Sequence, residues 1–125
     1  DDSWQETVRR TLADERSIIA SDGVYLGSHP HPRGFGTFAR VLGTLSRDTG
    51  MISLPRAIHK MSGKPAAAYG LDDRGLIETG RKADLVVFDP QTVSGTDDYR
   101  NPRQDPRGID LVLIGGVGAY ERNTG

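Results

Sequence analysis

The chain has 125 residues, 35% of them hydrophobic, with 16 Lys and Arg against 17 Asp and Glu and no cysteine. That is ordinary globular usage for one modest core, not the composition of a disordered chain. A nearly neutral charge gives no general attraction to nucleic acid or anionic lipid, and the missing cysteines exclude disulfides and Cys-based zinc sites within the chain. No apolar run is long enough to span a bilayer and no secretory h-region is present, so a soluble, cytoplasmic protein is expected.

The first predicted element is a helix capped by Asp2 or Ser3 and running to Ala13. Trp4, Val8 and Leu12 recur every four residues and mark its buried stripe. Ile18-Ile19-Ala20 is a short apolar run, which suits a buried strand over 16–20. Residues 23–34 are rich in Gly and Pro and form a loop. A second helix places Phe35, Phe38, Val41, Leu42 and Leu45 on one face and stops at Gly50. Ser53 then caps a third helix through Leu54, Ala57, Ile58 and Met61, with Pro55 in its first turn and Gly63 at its end. Pro65 opens a short helix that Gly70 stops.

From Leu71 the texture changes. Gly75 and Gly80 punctuate a turn-rich stretch before a strand at Leu85-Val86-Val87-Phe88. Residues 94–108 read as a polar loop. Ile109 to Ile114 is a second strand, and Gly115-Gly116 turns it into a third over Val117 to Tyr120. Neither half closes a sheet on its own, because two or three strands need further surface to pack on. That predicts a piece of a longer polypeptide. The first residue, Asp1, and the turn-like Asn123-Thr124-Gly125 point the same way.

Three places can carry chemistry. Asp22 follows the short apolar run and precedes Gly23. At the C-terminal end of a barrel strand such a carboxylate can bind a divalent metal and shuttle a proton. Ser-Asp-Gly is equally a common turn sequence. His29 and His31 form a His-x-His pair, each before a proline, that fits a solvated loop, the lining of a pocket or a pair of metal ligands. Arg33 can hold a carboxylate bidentately or stand free at the surface. His59, on a helix, reads as surface or packing. The arginines of the 100–107 stretch are mixed with acids and do not make a nucleic-acid patch. There is no Gly-rich phosphate loop and no G-x-S-x-G elbow.

The order of these segments resembles the last catalytic segment of the N-acyl-D-amino-acid deacylases (D-aminoacylases). Ser21-Asp22-Gly23, His31-Pro32-Arg33, Gly36-Thr37-Phe38 and Arg40-Val41-Leu42 carry the likeness. It continues through Lys60-Met61-Ser62-Gly63, Pro65-Ala66 and Leu71. Arg74-Gly75, Ile77, Gly80 and Ala83-Asp84-Leu85-Val86-Val87-Phe88-Asp89 extend it. Gly108-Ile109-Asp110 and Gly116-Val117 close it. The G-x-I-x-x-G-x-x-A-D-L-V-V-F-D stretch is shared by the amidohydrolase superfamily at large. The Ser-Asp-Gly and His-Pro-Arg pair narrows the likeness to the D-aminoacylase branch.

The resemblance implies an α/β protein, a metal-dependent (β/α)8 barrel joined to a small β-domain built from both chain ends. Residues 1–70 would supply the last strand and helices of the barrel, and residues 71–125 the C-terminal strands of the β-domain. Asp22 would contact zinc and act as general base and acid. Arg33 would hold the α-carboxylate of a small N-acyl amino acid, with His31 beside it as a further substrate-binding residue. Zinc would lower the pKa of a bound water, and Asp22 would pass its proton to the leaving amine. The family's early His-x-His, its cysteine ligand, its later histidines and its substrate-contacting lysine are absent. They are expected upstream of Asp1, so the 125 residues alone are expected to be inactive. The expected partner is the remainder of the same enzyme or a second copy, not nucleic acid or membrane. A related hydrolase of an N-acyl dipeptide or cyclic amide, and a non-catalytic fragment or interaction module, stand as alternatives.

Overall fold

The structure, a computed structural model, describes residues 2–122, except the side chain of Asp2. The turn expected at 123–125 lies outside the described residues. Helix α1 spans Asp2–Ala13. Helix α2 spans Arg33–Arg40 and runs on without a break into a π-helical stretch, Val41–Asp48. Helices α3 (Leu54–Met61) and α4 (Gly63–Ala68) follow, then strands β1 (Leu85–Phe88), β2 (Ile109–Ile114) and β3 (Val117–Glu121). The strands form one antiparallel sheet in the order β1-β2-β3.

Each element has a local cause. Pro55 sits in the first turn of α3, where its missing N–H costs no bond. Ser62 breaks the path at φ −132°, ψ −85°, and α4 starts at once. Its first residue is therefore Gly63, not Pro65. Gly115 and Gly116, with φ of 57° and 83°, close the β2–β3 hairpin. Two positive φ values in a row are what a tight hairpin turn of the right twist demands. Asp84 fixes that turn from outside, accepting the Gly115 N–H at 2.7 Å and pairing with Arg74 at 2.8 Å.

The expected strand over 16–20 is not one. The segment carries no regular structure, and among the described residues its one backbone bond to another element is Ile19 N–H to the Lys60 carbonyl at 3.0 Å. A strand needs a neighbour, and among the described residues no strand lies beside this one. A buried lysine tethers the segment instead. Lys60 is 1% exposed, and its ammonium donates to the carbonyls of Asp14 and Ser17 and to the Ser17 hydroxyl. Burial pushes its pKa below the ordinary lysine value, with Lys64 and Arg56 adding to the effect.

Two apolar clusters make the core. Leu12, Val41, Ile52 and Ala57 form one, and Ala39, Leu42 and Val93 the other, with Met61 packed against both. The α2 face differs from the expected one: Phe38 is exposed, while Gly36, Ala39 and Gly43 turn inward. The reason is backbone contact. A Cβ on Gly36 would stand 2.9 Å from the Thr96 nitrogen. Small residues let the 93–96 segment lie directly on the helix.

Candidate functional site

The loop between residues 21 and 34 folds around one tyrosine. The Tyr25 hydroxyl donates to the Gly34 carbonyl at 2.9 Å, and its ring meets Phe35 edge-on at 5.4 Å. Gly23 and Gly34 face each other across it. A Cβ on Gly23 would lie 2.9 Å from the Tyr25 ring and 3.1 Å from the Gly34 Cα, and one on Gly34 would lie 2.9 Å from the ring. The two ends of the loop touch because neither glycine has a side chain.

That closure brings their chain neighbours together. Arg33 Nη2 lies 3.0 Å from Asp22 Oδ2. The second oxygen of Asp22 has no partner among the described residues. The Asp22 side chain is 72% exposed and that of Arg33 48%. An ion pair so open to water contributes at most about 1 kcal/mol, so it is not what holds the loop. The glycine and tyrosine packing sets the geometry, and the pair is left accessible.

His31 belongs to the same arrangement. Its Nδ1 accepts the backbone N–H of Arg33 at 3.1 Å, and its Nε2 lies 3.0 Å from the Tyr99 hydroxyl. The two rings meet edge to face, 5.0 Å between centroids. His29 turns elsewhere, to the Ser28 hydroxyl at 2.8 Å. The His-x-His spacing therefore does not make a shared site. His59 is exposed on α3.

Sequence reasoning passed over the side of the site that comes from the polar loop before β2. Ser94 and Arg107 bridge at the base of that loop. Asp97 pairs with Arg40 at 2.9 Å. Arg103 donates to the Gly27 carbonyl at 3.2 Å and lies over the Phe35 ring at 5.7 Å. Tyr99 completes the set. Nothing in the spacing of residues 94–108 marks them, because their partners lie far away in sequence.

Among the described residues no three His, Asp or Glu side chains gather where an ion could sit. Asp22, with one unpartnered oxygen, has the chemistry of a single ligand. Two clefts lie elsewhere, one lined by Leu42 and Ser46 of the π-helical stretch and one lined by Tyr120 of β3 and Arg122.

The fold and these motifs define a class. The Amidohydrolase family model matches residues 7–120, and the chain belongs to that family. It is 45% identical over 112 residues to N-acyl-D-aspartate deacylase from Alcaligenes xylosoxydans xylosoxydans, covering 90% of this chain and 22% of that one. Among solved structures, it superposes on a D-aminoacylase studied for its binuclear metal center, with a TM-score of 0.90 and 42% identity over 96% of this chain and 25% of the other. It superposes also on N-acyl-D-glutamate deacylase from Bordetella bronchiseptica, complexed with zinc and a phosphonate mimic of the tetrahedral intermediate. That match has a TM-score of 0.88 and 34% identity, over 93% of this chain and 24% of the other. The chain thus spans about a quarter of the relatives it matches.

Proposed function

We propose that this chain forms the C-terminal part of the catalytic unit of a zinc-dependent deacylase of N-acyl-D-amino acids. In this reading residues 1–70 complete a (β/α)8 barrel and residues 71–125 complete its small β-domain. The observation that carries it is the Asp22–Arg33 pair: a carboxylate and a guanidinium, 3.0 Å apart and open to solvent.

Each member has a role its chemistry supports. Zinc, when bound, makes water acidic near neutral pH. Asp22 would offer one carboxylate oxygen to that ion and, as general base and acid, would take up a proton at the site and return it to the departing amine. Arg33 takes the free α-carboxylate of the substrate, for which its planar fork is suited. Its fork has donors beyond the one that meets Asp22, so it can hold the substrate while still orienting the base. His31 fixes the backbone from which Arg33 projects. The other metal ligands come from outside these 125 residues.

The test is a chimera in which these residues replace the matching quarter of the D-aminoacylase of known structure. It hydrolyses N-acetyl-D-methionine, and Arg33→Ala raises KM about 10- to 100-fold, as removal of a carboxylate anchor should. A chimera that folds and binds zinc yet turns over no N-acyl amino acid refutes the reading.

A further inference from the structure

We propose that Tyr99 is a positioning residue for Arg33, acting through His31; the proposal rests on the deacylase reading above. The hydrogen bonds fix a tautomer. Nδ1 of His31 accepts the Arg33 N–H, so it carries a lone pair and not a proton. The proton of the neutral ring is therefore on Nε2, and it is donated to the Tyr99 oxygen at 3.0 Å. Both ring nitrogens are engaged, one by the residue to be positioned and the other by a residue 68 positions away.

The chain restricts His31 on both sides as well. Pro30 and Pro32 flank it and are buried, which limits the backbone of the whole triplet. Arg33 is the first residue of α2, and its N–H has no acceptor within the helix. His31 supplies one. The direction in which the Arg33 side chain leaves the helix thus depends on a ring that Tyr99 holds.

Tyr99 is itself held. The loop that carries it is closed at its base by Ser94 and Arg107 and tied to α2 by Asp97 and Arg40. Arg103 ties it to the loop that carries Asp22, through the Gly27 carbonyl. The hydroxyl is carried by a loop tied down at these three points.

The test has two arms. The chain has three histidines, so nitrogen-15 NMR of histidine-labelled protein reads each ring. His31 is expected as the Nε2–H tautomer, and Tyr99→Phe is expected to speed exchange of the Nε2 proton with water. In the chimera, Tyr99→Phe raises KM for N-acetyl-D-methionine about tenfold and leaves kcat within about twofold, the signature of lost binding and not lost chemistry. His31→Asn keeps an acceptor for the N–H two residues on but cannot reach Tyr99. In that background Tyr99→Phe should add nothing, because the two act in series. An Nδ1–H tautomer, a kcat loss without a KM change, or full additivity overturns the proposal. An inactive wild-type chimera overturns the deacylase reading alone, and the NMR arm still decides whether Tyr99 holds His31.

Discussion

The carbonyl of Val93 occupies the space where a side chain on residue 43 would have to go: a Cβ on Gly43 would stand 2.3 Å from that oxygen. Val93 is fully buried, and Arg47 donates to the same carbonyl at 2.8 Å. This contact joins the helical part to the segment after β1. Gly43→Ala must push the two apart, and a cost of about 1–3 kcal/mol is expected for such overpacking. Urea unfolding measures it; an unchanged midpoint would show that the segments yield freely.

Lys60 provides a second structural test. Lys60→Met keeps the aliphatic volume but removes the donor that the Asp14 and Ser17 carbonyls share. The Asp14 carbonyl keeps the Ser17 N–H and hydroxyl, but the half-buried Ser17 carbonyl loses its donor, and a group left unpaired away from water costs about 1–3 kcal/mol. The loss should appear in the unfolding midpoint, with the NMR signals of 14–19 shifting most. A variant as stable as the parent would mean that water replaces the ammonium.

Much of the fold was legible in the sequence, and the misses share a cause. Helices at 33–48 and 54–61 and the three strands follow from apolar period and glycine stops, which act locally. Ile18-Ile19-Ala20 reads as a strand from its residues, yet a strand is a relation to a neighbour that this stretch does not find among the described residues. Phe38 reads as core by period, but Gly36 and Gly43 draw the opposite face of the helix onto the 93–96 backbone. At the candidate site, the resemblance to a family motif singles out Asp22, His31 and Arg33, and the structure sets Asp22 against Arg33 and His31 against the Arg33 backbone. Tyr25, Tyr99 and Arg103 are not legible, since they act across gaps that no local pattern spans.

Acid should weaken the turn-rich stretch before β1. Hydrogen bonds from Lys82 and then Arg74 hold the Asp73 carboxyl at about 2, below its ordinary 3.8. A carboxyl depressed in the folded state stabilises it above the ordinary value and loses that contribution as pH falls toward 2. Lys82→Met removes the largest cause, so the drop in stability between about pH 5 and about pH 2.5 should shrink. Urea midpoints at the two pH values check it, and an equal drop in both proteins would exclude Asp73 as a contributor.

Metal affinity should follow the donor count. One carboxylate is far short of the three or four ligands of a zinc site. The isolated 125 residues are expected to bind zinc only weakly and to show no deacylase activity. Calorimetry with zinc and an assay with N-acetyl-D-methionine test both; turnover by the purified chain would refute the expectation.

The most direct measurement concerns Asp22 in the active chimera. Asp22→Asn keeps the shape and a hydrogen-bonding oxygen but removes the charge and the capacity to carry a proton. A fall in kcat of about a hundredfold or more is predicted, the scale on which a lost general base acts. The circular dichroism spectrum should stay that of the parent, because so exposed a pair holds little of the fold. An Asp22→Asn chimera with kcat within about threefold of the parent would contradict the account, since no proton would then be passing through that carboxylate.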